Sequence, residues 1–130
     1  MAVALVENYR LGAIPLWSGV PGGQTFQSDV AGVTAHDRVA ARALRLIPGN
    51  AVVSATNSLG AHLSARRRIF SFPVLRDATW VAADETKPSY FDRASSPLAS
   101  DRLAALRRNR AWRLDFEEDG VLVFRRVSAP

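Results

Sequence analysis

Apolar residues near the middle of the chain recur at intervals of three and four, the spacing of one face of a helix. We therefore predict a helix over residues 35–46. Arg38, Arg42 and Arg45 fall on its other side. Such a stripe is usually a solvated face, and anion binding is the alternative interpretation.

Three short apolar runs follow this helix, and each predicts a strand. They cover residues 51–55, 69–72 and 80–83. The polar residues 56–58 come directly after the first run, and each of their side chains can cap the start of a short helix. Residues 86–100 contain two prolines and four serines, so we predict a long loop there.

The C-terminal part of the chain predicts an antiparallel hairpin. Leu114 and Phe116 alternate with charged residues, a turn rich in acidic residues and glycine follows, and Leu122 and Phe124 come after it at the same spacing of two. A three-residue loop with Gly120 in the left-handed conformation would pair Phe116 with Leu122 and Leu114 with Phe124. All four apolar side chains would then share one face of the sheet.

With a further helix over residues 100–110, the order is helix, strand, helix, strand, strand, helix, strand, strand. This order predicts an α/β fold: a three-layer, mostly parallel sheet flanked by helices, Rossmann-like in its layering, ending in an antiparallel C-terminal hairpin. We place this single α/β domain at residues 34–130.

Residues 1–33 form a separate N-terminal segment in this interpretation. Glycines and prolines between residues 18 and 33 predict a linker or surface loop. The apolar run from Ala2 to Val6 is far shorter than the roughly 20 residues of a membrane span. The chain therefore starts either with an element that packs onto the domain or with the stub of a membrane helix.

Composition restricts the possible chemistry. The net charge of +5 favours an anionic partner, but Lys87 is the only lysine and alanine is abundant, a bias that GC-rich coding also produces. The sequence has no cysteine, which excludes disulfides, thiolate nucleophiles and cysteine zinc sites. His36 and His62 are the only imidazoles and lack the helical spacing of metal ligands. We predict no metal and no cofactor.

No catalytic motif is present. The sequence contains no G-x-G-x-x-G, no Walker lysine and no G-x-S-x-G elbow, and we assign no catalytic residue. The basic run Arg66 to Arg68 precedes Phe70 and Phe72, an arrangement that can bind single-stranded nucleic acid. Burial of the two phenylalanines in the core is the simpler interpretation.

Ligands of open α/β sheets bind at the carboxyl ends of the strands. Polar residues follow the first and third predicted strands there, and backbone N–H groups opening the next helix would suit an anion. The alternative is that these residues only cap the helix and form turns. The candidate ligand-binding residues are Thr56, Asn57, Ser58, His62, Arg66 and Asp84.

Three segments carry a resemblance to a known family. They read IPGNAVVSATNSLGAHLSARRRIFSFP, WVAADE and RLDFEEDGVLVFRR. The chain resembles, over about residues 36–126, the C-terminal soluble region of a family of uncharacterised, predicted polytopic bacterial membrane proteins. That family is in turn similar to membrane glycosyltransferases that use lipid-linked sugar donors. The resemblance implies that residues 1–17 end the last membrane helix and that residues 19–32 are a tether.

Two functions remain. The leading hypothesis is a non-catalytic accessory or binding domain of a polytopic membrane protein of unknown function, on the extracytoplasmic face of the cell membrane. Its partners would be the membrane-embedded portion of the parent protein and a glycan or lipid-linked sugar, not nucleic acid. The alternative is a free-standing cytosolic protein that binds nucleotide or nucleic acid through its arginines, with steep salt dependence.

Overall fold

The computed structural model describes residues 33–127. Helix α1 (Ala35–Arg45) confirms the predicted first helix, and its buried side chains His36, Val39, Ala40 and Ala43 follow the expected spacing of three and four. The predicted N-terminal segment, up to residue 32, lies outside the described residues. The domain boundary at residue 34 stays a prediction.

Residues 33–127 contain one five-stranded sheet in the order β2-β1-β3-β5-β4. The strands are β1 (Val53–Ala55), β2 (Ile69–Ser71), β3 (Trp80–Asp84), β4 (Trp112–Glu118) and β5 (Val121–Arg126). The other helices are α2 (Asn57–Gly60), which continues as a 3-10 turn over Ala61–Leu63, α3 (Tyr90–Ala94) and α4 (Ser96–Arg108).

The prediction of a mostly parallel, three-layer, Rossmann-like α/β fold is wrong. Strand β1 pairs in parallel with β2 and with β3, over three residue pairs each. Strand β5 pairs antiparallel with β3 over five pairs and with β4 over six. The sheet is therefore mixed, with more antiparallel than parallel pairing, because the returning strand of the hairpin lies between β3 and β4.

The interior position of β5 explains why this strand is apolar at consecutive positions. Its first four residues are at most 1% exposed, and they alternate between the two faces of the sheet. Val121 and Val123 join the core that includes α1 and α2. Leu122 and Phe124 join the core that includes α4. A strand covered on both faces needs apolar side chains on both.

The long loop predicted at residues 86–100 is also wrong. It contains α3, and α4 begins at Ser96, four residues before the predicted start. Pro97 lies in the first turn of α4, where a missing N–H costs no helical hydrogen bond. Ser89 starts α3 with a capping box that it shares with Asp92.

The C-terminal hairpin is present with a different turn. Leu114 pairs with Phe124 as predicted. The loop, however, has two residues, Asp119 and Gly120, with φ values of 49° and 74°. An irregularity between Leu114 and Phe116 adds a residue to β4, which turns Phe116 to the opposite face of the sheet. The bulge, and not a longer loop, sets the register.

The turn makes glycine necessary at position 120. A Cβ there would overlap the hydroxyl of Thr86 and lie 3.1 Å from its backbone nitrogen. We expect Gly120→Ala to lower the free energy of unfolding by about 1–3 kcal/mol, because both the positive φ and the contact are strained. Urea denaturation measures this change.

Gly49 provides the control, because a Cβ there would meet nothing within 4 Å. Gly49→Ala should leave the free energy of unfolding unchanged or raise it by up to about 1 kcal/mol. Equal losses in the two variants would contradict the assigned turn.

Candidate functional site

A cavity of about 150 Å³ lies at the carboxyl ends of β1 and β3, bounded by α4 and the residues before it. Its apolar wall includes Phe72, Ala99 and Leu103. Its polar lining residues are Thr56, Asp84, Glu85, Asp92, Ser96 and Ser100. The predicted position for a ligand, outside the strand ends, therefore coincides with a real cavity.

The carboxylate of Asp92 occupies the start of α2. Its Oδ1 accepts hydrogen bonds from the backbone N–H of Asn57 at 2.7 Å and from the Asn57 side-chain amide at 3.1 Å. Its Oδ2 accepts from the backbone N–H groups of Ser58 at 3.1 Å and Ser89 at 3.0 Å. The sequence predicted that the backbone N–H groups at the start of α2 would suit an external anion. In the structure they donate to a carboxylate of the protein itself.

Asp92 is buried, and burial by itself raises the pKa of a carboxyl. The hydrogen bonds from Asn57, Ser89 and Ser58 outweigh this effect, so the pKa of Asp92 lies below its ordinary value. The group is therefore an anion at neutral pH, matched to the donors around it. It joins α2 to α3 across 35 residues of sequence.

Asp84, at the end of β3, is satisfied in a similar way. Its Oδ1 accepts from the backbone N–H groups of Thr86 and Lys87, both at 2.9 Å. Its Oδ2 lies 2.9 Å from Nε2 of His36. The hydroxyl of Thr56 accepts the N–H of Asp84 at 3.2 Å, which links the ends of β1 and β3.

His36 bridges two carboxylates and was missed as a site residue. Its Nδ1 lies 2.7 Å from Oδ2 of Asp119 in the hairpin turn, while Nε2 contacts Asp84. The hydrogen bond to Asp84 raises the pKa of His36, burial lowers it, and the bond to Asp119 raises it again, with a net increase. His36 shares the apolar face of α1 with Val39 and Ala43, and this position was the available signal that it is buried and partnered.

The six predicted ligand residues do not all come together. Thr56 and Asp84 line the cavity, and Asn57 and Ser58 lie beside it on Asp92. Arg66 lies elsewhere and donates to the backbone carbonyls of Ile47 and Pro48. His62 is exposed on the 3-10 turn and is not part of the cavity lining. Ligand binding by these residues stays a prediction.

Residues 23–123 match the profile of a family described as predicted membrane protein, DUF2079. The chain belongs to this family. No curated protein and no solved structure matches the chain. The DUF2079 match confirms the predicted relation to membrane proteins, and it does not show the predicted similarity to glycosyltransferases.

Between residues 33 and 127, no helix has the length and apolar content that crossing a bilayer requires. Within the same residues, no group of three or more histidine, aspartate and glutamate side chains could hold a metal ion.

The His36 bridge predicts a pH dependence of stability. Because the folded pKa of His36 lies above its unfolded value of 6.5, protonation stabilises the fold fully below that value. This stabilisation is lost as pH rises through the folded pKa. We expect the free energy of unfolding of the wild type to fall as pH rises above the unfolded value of 6.5 and through the folded pKa of His36, and His36→Gln to lack this decline.

His62→Gln is the matched control, because His62 is the other histidine and is exposed. Urea denaturation across the pH range should show the wild-type decline in this variant. A decline that persists in His36→Gln, or disappears in His62→Gln, would contradict the assignment.

Asp92→Asn should destabilise the domain by about 2–4 kcal/mol, because an amide nitrogen cannot accept the N–H groups that face it. Asp101→Asn, at an exposed position of α4, should change the free energy of unfolding by no more than about 0.5 kcal/mol. Thermal and urea denaturation measure both. A loss at position 92 no larger than at position 101 would show that the carboxylate does not hold α2.

Proposed function

We propose that this domain is a non-catalytic, extracytoplasmic binding domain of a polytopic membrane protein. In this proposal the cavity at the ends of β1 and β3 takes a sugar ring of a glycan or of a lipid-linked sugar. The observation that carries the proposal is the combination of cavity size and lining. Membership of the DUF2079 family supports a place beside a membrane, and the extracytoplasmic side is part of the proposal.

The size of the cavity suits one six-membered ring. Its volume is about 150 Å³, and a cavity of about that size holds a benzene molecule. Apolar and polar groups line it together, including Phe72 and Leu103 on one hand and Ser96 and Ser100 on the other. A sugar ring presents both kinds of surface, since its C–H groups are apolar and its hydroxyls donate and accept hydrogen bonds.

The charge of the lining selects against a phosphate inside the cavity. Asp84, Glu85 and Asp92 all contribute to the lining, and no lysine or arginine does. An anion would be repelled by these carboxylates, whereas hydroxyl groups can donate to them. For a lipid-linked sugar, we therefore place the sugar in the cavity and its phosphate outside.

The protein's own hydrogen bonds indicate which groups contact the ligand. Asp84 and Asp92 accept three and four bonds from within the domain. Glu85, Ser96 and Ser100 are exposed side chains of the lining. We assign the polar ligand contacts to these three residues, with Thr56 and Asp84 forming the floor.

We favour this function over nucleotide or nucleic-acid binding because several arginines are held in ion pairs on the surface. Their carboxylate partners offset part of the positive charge that phosphate binding would need. The pairs are Arg42 with Glu118, Arg68 with Asp77, Arg107 with Glu117, and both Arg113 and Arg125 with Asp115.

A titration with free monosaccharides, followed by NMR amide shifts, tests the proposal. A hexose of about 12 heavy atoms, at about 0.3 kcal/mol per atom, predicts a Kd in the low millimolar range. We expect the shifts at residues 83–85 and 96–100. Saturating shifts confined to the hairpin, or no shifts with any sugar, would contradict the proposal.

Ala99→Leu should abolish these shifts, because Ala99 lines the cavity and three added carbon atoms would occupy space that the sugar ring needs. Ala105→Leu is the control, since Ala105 is an exposed residue of the same helix and is not part of the lining. Equal sugar binding by the two variants would show that the sugar binds outside the cavity. Shifts at the cavity caused by inorganic phosphate instead of sugars would contradict the assigned ligand class.

A further inference from the structure

Three large apolar side chains are exposed within nine residues of one another. Tyr90 is 75% exposed, Phe91 70% and Leu98 68%. Together with the exposed Arg93 and Arg102 we call them the α3–α4 patch. Single exposed apolar residues are common, but two adjacent aromatic rings and a leucine in one short segment indicate a binding surface.

The α3–α4 patch has a fixed support. The capping box of Ser89 and Asp92 starts α3, and the Asp92 carboxylate also binds the start of α2. At the other end of α3, the backbone N–H of Ser95 donates to Phe91 at 3.3 Å. The rings of Tyr90 and Phe91 meet edge to face, with centroids 5.7 Å apart. Partly buried hydrogen bonds thus hold the backbone that presents these rings to solvent.

Basic side chains accompany the apolar ones at helical spacing. Arg93 follows Tyr90 by three residues, and Arg102 follows Leu98 by four, so each pair shares a helix face. Asp101 is exposed on α4 and lowers the local charge by one. Aromatic rings beside arginines are typical of segments at the boundary between water and lipid, where rings reach the headgroup region and guanidinium groups bind phosphates.

We propose that the α3–α4 patch docks on the surface of a lipid bilayer that contains anionic headgroups. The composition of the patch and the family of predicted membrane proteins both favour this occupant over a second copy of the chain or another protein. The inference rests on the proposed place of the domain beside a membrane and does not require sugar binding.

Docking would also position the cavity. Pro88, Ser96 and Ser100 line the cavity, and the same segment carries Tyr90 and Leu98. With the patch on the bilayer, the cavity lies near the level of the lipid headgroups, where the sugar of a lipid-linked donor would be found.

Sedimentation with vesicles tests docking directly. The 130-residue chain should sediment with vesicles of phosphatidylcholine mixed with phosphatidylglycerol, and less with phosphatidylcholine alone. The double variant Phe91→Ser, Leu98→Ser should lose at least about tenfold in partitioning. Val74→Ser is the control, since Val74 is 50% exposed and lies outside the patch. Circular dichroism establishes that each variant is folded.

Charge variants provide the second arm. Arg93→Gln and Arg102→Gln should each weaken binding to the anionic vesicles by roughly fivefold, and Arg38→Gln, an exposed position on α1, should change it less. Asp101→Asn should strengthen it by up to about fivefold, because it removes the negative charge near the patch.

Several results would overturn docking. One is failure of the wild type to sediment with anionic vesicles. Another is an equal loss of vesicle partitioning in the patch variant and in Val74→Ser. Concentration-dependent dimerisation that the patch variant abolishes, without vesicle binding, would assign the surface to a second copy. If vesicle binding fails while sugar binding persists, docking is overturned and the proposed function is not. If an Ala99→Leu variant binds vesicles but no sugar, docking remains supported.

Discussion

The carboxylate of Asp92 is the interaction on which the polar end of this domain depends. It accepts two hydrogen bonds from Asn57, one from Ser58 and one from Ser89, so it joins the start of α2 to the start of α3. It also lines the cavity. The helix that follows β1, one wall of the cavity and the support of the exposed Tyr90 and Phe91 therefore all rest on one buried anion.

The carboxylates near the strand ends of this domain have hydrogen-bond partners within the domain itself. His36 lies between Asp84 and Asp119, and Asp92 has backbone donors on both oxygens. Polar residues at the carboxyl ends of strands usually suggest a ligand, and here they first satisfy one another. What remains for a ligand is a small cavity with acidic and hydroxyl groups, which favours a neutral polyol over an anion.

Local sequence patterns predicted part of this structure. The spacing of apolar residues was sufficient to predict α1. The alternation before Gly120, together with the turn residues, was sufficient to predict a hairpin, since both patterns depend on neighbouring residues. The place of β5 between β3 and β4 depends on pairing between distant strands, which periodicity does not encode. Likewise, the polar residues after β1 were correctly predicted to lie at a strand end. The partner of Asn57, however, is Asp92, which lies 35 residues away in a segment predicted to be a loop.

The most direct test of this account is a pH titration of the Asp92 side chain, followed through its carboxyl carbon by NMR. Burial and hydrogen bonding act in opposite directions on this group, so its pKa reports which of them prevails. The account predicts a pKa below the ordinary value of 3.8. A pKa at or above that value would mean that Asp92 is merely buried, and that the start of α2 remains available to an external anion.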